Sequence, residues 1–275
     1  MSHNISHLHG RDAGYDDAFY DQIVEPAQRS AAVVVPLLLE LATDDHPISS
    51  AVDVGCGLGT WLAAFAENGV ADVVGLESDH LPTDRLAIRR DQLVIADLTA
   101  PPDVGRRFDL ALSLEVAEHL PASAAAGFVD LLCGLAPMVV FSAAVPGQGG
   151  VHHVNEQWPA WWSTQFADRG YAAYDCIRPR VWRDERVAYY YAQNTIIYVD
   201  RAATVRLSAE LGEPELDGPM ALVHPGLFQA FRDHRSRPAD PSLRSLLRQL
   251  PRAAAGAARR RVRPTSTGDP TGATS

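Results

Sequence analysis

Lysine is absent from this 275-residue chain; all 24 of its strongly basic side chains are arginine. Without an ε-amine, no Schiff base can form and no lysine can act as general base, which removes a class of carbonyl chemistry. Cysteine is scarce. Cys56, Cys133 and Cys176 are odd in number, and none stands in a C-x-x-C pair. Such usage fits reduced thiols in a cytoplasm and argues against a zinc site. Long apolar runs are missing too. The longest, Ala31 to Ala42, is interrupted by Pro36 and Glu40 and falls short of the roughly 20 residues a membrane span needs. The first residues show no basic segment followed by an apolar core, so no secretory signal is expected and the expected location is the cytoplasm.

Charge is plentiful but lopsided. The formal net charge is −10, yet from Arg232 onward ten arginines face only Asp233, Asp240 and Asp269. That end carries a surplus of seven positive charges, which leaves the remainder at about −17. An acidic body disfavours a nucleic-acid backbone as partner and suits a cationic ligand. The chain is long enough to bury one substantial core.

The residues Ala51-Val-Asp-Val-Gly-Cys-Gly-Leu-Gly59 read as a strand that ends in glycine. Gly55, Gly57 and Gly59 let the backbone turn sharply and approach a ligand without a Cβ in the way. Trp61, Leu62, Phe65 and Ala66 then recur at helical spacing, so the turn opens onto a helix N-terminus, whose unpaired amides attract an anionic group. A dinucleotide fingerprint needs Gly-x-Gly-x-x-Gly. Here the glycines fall at every second position, Thr60 fills the last slot, and Asp53 stands two residues before the first glycine. The pattern resembles motif I of the class I S-adenosylmethionine-dependent methyltransferases, carried by Asp53, Gly55, Gly57 and Gly59, with Cys56 inside the turn. A tight turn without a ligand would look alike at this level.

Asp72 to Glu77 is a second strand. An acid at its end can accept hydrogen bonds from both hydroxyls of a ribose, in a dinucleotide site as well as in the resembling family, which assigns this role to Glu77. Leu93 to Ala96 is a third strand, ending at Asp97-Leu98. The resemblance implies that Asp97 accepts from an adenine amino group and that the Leu98 amide reaches a ring nitrogen; an acid capping its own turn is the simpler alternative. Phe108 to Leu114 is a fourth strand. The segment that follows, Glu115-Val-Ala-Glu-His-Leu-Pro121, resembles the one found in ubiquinone-type and related small-molecule methyltransferases. This places backbone near Glu115 at the methionine end of the cofactor and His119 near the acceptor.

Ala122 to Leu135 is a helix and Met138 to Ala144 a fifth strand. Such alternation predicts a parallel sheet with right-handed crossovers, covered on both faces. Two more β-rich runs, Tyr171 to Arg178 and Ala188 to Val199, match the resembling family's antiparallel sheet ending. The expected fold is therefore α/β: a doubly wound seven-stranded sheet, mostly parallel with an antiparallel last strand, helices on both faces and an N-terminal helical lid.

The lid is expected over residues 15–43, divided by Pro26 and Pro36. In the resembling family such helices fold over the cofactor, so Tyr15, Phe19 and Tyr20 are candidates for the acceptor pocket. Opposite them stands the loop Val145 to Trp158, which leaves the edge of the fifth strand where ligands bind in open α/β sheets. It carries His152, His153, Asn155, Glu156 and Gln157. A histidine general base is expected there, because imidazole titrates near operating pH. His153 leads, followed by His152 and then His119, with Glu156 on the substrate side. A metal held by His152, His153 and Glu156 is not expected, since adjacent residues rarely point at one ion.

Residues 1–14, with His3, His7 and His9, are expected to be a flexible terminus. Residues 15–200 form the methyltransferase domain, 201–254 a helical extension and 255–275 a disordered basic tail. Within the extension, Leu243, Leu246, Leu247 and Leu250 share a face while Arg244, Arg248 and Arg252 lie elsewhere, which suits weak contact with a partner or an anionic surface. The expected activity moves the methyl of S-adenosylmethionine to a hydroxyl or amine of a small molecule, in bacterial natural-product or saccharide tailoring. Carbon methylation, a regulatory protein that binds S-adenosylmethionine or S-adenosylhomocysteine without turnover, and an NAD-dependent oxidoreductase remain the alternatives.

Overall fold

The structure, a computed structural model, describes residues 17–236 apart from 80, 101, 102, 204–206 and 217; for 17–22 and 232–236 it describes the backbone alone. The expectations for the first sixteen residues, Tyr15 among them, for the side chains of Phe19 and Tyr20, and for the arginine-rich end beyond residue 236 lie outside the described residues.

Seven strands form one sheet: β1 (Ser50–Val54), β2 (Asp72–Glu77), β3 (Leu93–Ile95), β4 (Leu110–Leu114), β5 (Met138–Ser142), β6 (Tyr171–Tyr174) and β7 (Ile196–Asp200), in the order β3-β2-β1-β4-β5-β7-β6. The first five pair in parallel. β7 enters between β5 and β6, antiparallel to both, so the last strand is the inverted one, as expected. Side chains alternate across the sheet with period two. Ala51, Leu110, Leu112 and Val140 join the cluster under the first helices, whereas Val52, Ala111, Val139 and Phe141 face the opposite one. Both faces are covered, which is the condition that keeps a parallel sheet stable.

Helices α1 (Asp17–Leu39) and α2 (Thr60–Glu67) pack together on the first face, while α3 (Ala125–Leu135) and α4 (Pro159–Ala167) cover the second. Contrary to expectation, Pro26 and Pro36 do not divide α1, which runs unbroken through both. Each proline forfeits a backbone bond. The helix persists because Ala27, Ala31, Val34, Val35 and Leu38 are all buried at helical spacing. Near its start, Ile23 and Val24 pack against Leu58 and Leu81, which lays this part of α1 over the glycine turn that follows β1.

A second departure concerns Ala188 to Val199. Only its end is strand; Tyr189–Asn194 is a helix, α6, reached through a short helix α5 (Arg178–Val181) that takes over where β6 has already ended. Three successive tyrosines favour a strand locally. Yet Tyr191, Ala192, Gln193 and Asn194 are buried in succession, and tertiary contact decides: Tyr191 meets Trp61 edge to face at 5.1 Å. Every described strand lies in the first of two compact units, Met1–Gln229; the second is Ala230–Ser275, and a last described helix, α7 (Pro225–Ser236), spans the division. Residues past β7 still belong to the first unit: Leu207 bridges Ala42, and the His224 amide donates to Gln193 at 2.7 Å. Among the described residues, no helix is long and apolar enough to cross a membrane.

Candidate active site

Strand order reverses between β1 and β4, and the crevice beyond their carboxyl ends is where open α/β sheets hold ligands. The glycine turn sits there. Gly55, Gly57 and Gly59 have φ of 84°, 52° and 79°, all left-handed. A Cβ on Gly55 would lie 2.5 Å from Val116 Cγ2, and one on Gly59 would lie 2.7 Å from Ile88 Cγ1; at Gly57 it would meet nothing within 4 Å among the described residues. The outer two glycines are thus required by their neighbours, while the middle one faces open space. The amides of Gly55 and Cys56 donate to the Leu76 carbonyl at 2.8 and 3.2 Å, fastening the turn to β2. Cys56 directs its sulfur inward, against Gly75, and burial, then the charges of Asp53 and Glu77, push its thiol pKa up.

The three acids come from neighbouring strand ends. Asp53 pairs in register with Gly75, and Glu77 with Ile95 two residues before Asp97. Glu77 Oε2 accepts from the Gly57 amide at 2.8 Å, and Oε1 accepts from the Ser78 amide at 2.8 Å. Asp53 is 2% exposed. Burial, followed by repulsion from Glu77, pushes its pKa up to about 8. Neither acid has a basic partner among the described ion pairs. Asp97 is exposed, and its Oδ1 accepts from the Thr99 amide and hydroxyl at 2.8 and 2.7 Å, which hold the carboxyl below its ordinary range. It does cap its own turn. Leu98 packs against the second-face core.

Glu115 follows β4 at φ 56°, and its amide donates to the Ser142 carbonyl at 3.0 Å. Its half-buried carboxylate accepts from Gln148 Nε2 at 2.7 Å and from Asn194 Nδ2 at 3.0 Å. Gln193 in turn donates to Asn194 Oδ1 at 2.9 Å. Burial raises the pKa of Glu115, with the bonds from Asn194, Ser142 and Gln148 opposing. Sequence reasoning missed Gln148, Gln193 and Asn194. The signal was present: an amide pair interrupts an otherwise apolar run, and a buried amide needs a polar partner.

In the loop after β5, Glu156 is the clamp. Its Oε2 accepts from the Gly147 amide at 2.7 Å; its Oε1 accepts from the Gly149 amide at 2.8 Å and from His153 Nδ1 at 3.0 Å. Burial pushes the pKa of Glu156 up, but the bonds from His153, Gly147 and Gly149 outweigh it and hold the group ionised. His153 and His119 meet edge to face with ring centroids 4.9 Å apart. Burial, then His153, takes His119 down to about 4. His152 is exposed at φ 58°, so the adjacent histidines face different surroundings. Glu118, which sequence reading did not single out, is fully buried, and its carbonyl accepts from the Val154 and Asn155 amides at 2.9 and 3.0 Å. The structure therefore brings together His153, His119 and Glu156, and adds Glu118.

Residues 27–175 match a family described as a methyltransferase domain. The chain belongs to this family, the class I methyltransferases that use S-adenosylmethionine. Solved structures similar to it include DesVI of Streptomyces venezuelae, at 26% identity over 49% of this chain and 58% of that one, with a TM-score of 0.38. Magnesium protoporphyrin IX methyltransferase of Synechocystis PCC 6803, with bound S-adenosylmethionine, is 18% identical over 68% and 86%, with a TM-score of 0.42. The sugar N-methyltransferase KedS8 of a Streptoalloteichus species is 24% identical over 55% and 62%, with a TM-score of 0.38. The chain thus spans less than two thirds of DesVI and of KedS8. No curated protein matches it. A family that uses S-adenosylmethionine replaces the dinucleotide alternative, and the turn fits such a ligand: among the described residues nothing crowds Gly57, and the buried Asp53 and half-buried Glu77 have no basic partner.

Proposed function

We propose that this protein transfers the methyl group of S-adenosylmethionine to a hydroxyl or amine of a small-molecule acceptor, with His153 as general base for a hydroxyl. When bound, the cofactor supplies a methyl already made electrophilic by a sulfonium. The turn Gly55 to Gly59, with Asp53, Glu77, Asp97 and the Leu98 amide, would hold the adenosyl and amino groups, and backbone near Glu115 the methionine end. The task left to the chain is to align the acceptor and exclude water, an effect that can supply about 7 to 11 kcal/mol in favourable cases.

The observation that carries the base is the 3.0 Å contact between His153 Nδ1 and Glu156 Oε1. An ionised carboxylate only accepts, so the ring proton stays on Nδ1 and the lone pair on Nε2, where it can take the proton of an attacking hydroxyl. Base catalysis of this kind is typically worth ~10² to 10⁴ in rate. His119, held neutral by burial, and His152, exposed, stand behind it.

Calorimetry with S-adenosylhomocysteine, followed by an acceptor panel with wild type and His153→Ala, tests this reading. The expected result is tight product binding by both proteins and a loss of about 10² to 10⁴ in kcat for the variant on a hydroxyl acceptor. Failure to bind S-adenosylhomocysteine would overturn the whole reading. Unchanged turnover by His153→Ala would remove the base.

A further inference from the structure

We propose that Glu118, His119 and His153 form a binding site for one divalent transition-metal ion at the acceptor side of the crevice. Each offers a ligand atom, and the three atoms lie within 4.8 Å of one another. One carboxylate and two imidazoles suit a borderline ion such as zinc or cobalt, and a three-residue set leaves coordination positions open for water or an acceptor oxygen.

A second observation points to a ligand independently. Glu118 is 0% exposed, and among the described residues neither of its carboxylate oxygens has a partner of good hydrogen-bond geometry, although the amides of Glu118 and Ala144 act on the group. A buried carboxyl in that condition is costly in either protonation state, since even the neutral acid has an O–H to place. One water could relieve one oxygen. It would leave unexplained why a carboxylate and two imidazoles bring ligand atoms within 4.8 Å of one another. His153 Nδ1 is taken by Glu156, which leaves Nε2 as the atom with a lone pair. His119 hydrogen-bonds the backbone of Val151 and His152. A ring nitrogen held by a carboxylate, as Glu156 holds His153, is the arrangement that orients histidine toward a metal.

The loop is shaped to deliver His153. A side chain at Gly150 would put its Cβ 2.2 Å from His153 Nε2, so glycine is needed for the ring to seat. Gly147 and Gly149 lend their amides to Glu156. The site differs from the His152, His153 and Glu156 set rejected on sequence grounds: Glu156 orients, and Glu118 and His119 ligate. It also bears on the base. Nε2 of His153 cannot hold an ion and take a proton together, so in the loaded protein the ion, which lowers the pKa of a coordinated hydroxyl, would stand in for the imidazole.

The test uses the full chain, stripped with chelator and titrated with Co²⁺ by absorption and with Zn²⁺ by calorimetry. The expected result is one equivalent bound, with affinity weakened at least ~100-fold in Glu118→Gln and His153→Ala, ~10- to 100-fold in Glu156→Gln, and unchanged in His152→Ala. S-adenosylhomocysteine affinity, measured on each variant, reports whether it is folded; a fold lost in Glu118→Gln leaves His153→Ala and Glu156→Gln to decide. No binding by wild type, or an affinity that these substitutions do not move, overturns the site. Either result stands whether or not methyl transfer is found, because the ion is read directly.

Discussion

The backbone amide of Gly57 donates to Oε2 of Glu77 at 2.8 Å, so the middle glycine of the turn and the acid that ends β2 are one hydrogen-bonded unit. Glu77→Ala removes both that bond and the carboxylate proposed to receive the ribose hydroxyls. Hydrogen bonds to charged groups are worth about 1.5 to 3 kcal/mol, so S-adenosylhomocysteine should bind roughly 10- to 100-fold more weakly by calorimetry. Wild-type affinity in this variant would show that Glu77 does not face the nucleoside.

The glycines of the turn should separate under alanine substitution. At Gly55 an added Cβ meets Val116 at 2.5 Å, and Gly55→Ala should lower the unfolding midpoint strongly. At Gly57 nothing among the described residues lies within 4 Å, so Gly57→Ala bears only the left-handed backbone penalty of about 1 to 2 kcal/mol, yet places a methyl where the ligand approaches. Thermal melts and binding constants for both variants check this. A Gly57→Ala protein that keeps full affinity would place the ligand elsewhere.

Asp53 links stability to pH. Its ordinary pKa of 3.8 becomes about 8 in the folded chain, so between those values the native state holds a proton that the unfolded chain has lost. Stability contributed by this group therefore falls as pH rises through that window. Asp53→Asn should remove the slope, gaining on wild type by an amount on the order of a few kcal/mol between pH 5 and pH 8. Urea midpoints at the two pH values decide it; a gap that does not change with pH would mean that the carboxyl is ionised throughout.

Asn194 and Gln148 satisfy the half-buried carboxylate of Glu115 at 3.0 and 2.7 Å. Asn194→Ala leaves one carboxylate oxygen and the Gln148 carbonyl short of a donor, a loss of about 1 to 3 kcal/mol. Denaturant unfolding should show it as a lower midpoint at unchanged slope. An unaffected midpoint would indicate that water replaces the amide at no cost.

The glycine turn and the acids at the strand ends were legible because their signals are local. Asp53, Gly55, Gly57 and Gly59 are neighbours in one strand and turn, and the distances along the chain to Glu77 and Asp97 are those that parallel strands impose. The continuity of α1 through Pro26 and Pro36 was not legible. Local breaking signals pointed one way, and burial of Ala31, Val35 and Leu38 on the sheet pointed the other. The helical course of Tyr189–Asn194 was hidden for a similar reason: strand propensity is local, whereas the need of Asn194 for Glu115 is not.

The amino-acid sequence by itself determined the alternation of strands and helices, the glycine turn and the acids around it, because each depends on residues a few positions apart. Only the tertiary structure brought together the polar groups that follow β4 and β5 and that end α6. Glu118 and His119 follow β4 and meet His153 of the loop after β5, while Asn194, just before β7, meets Glu115. Their meeting depends on sheet order and on the clamp that Glu156 places on its own loop, neither of which any spacing along the chain encodes.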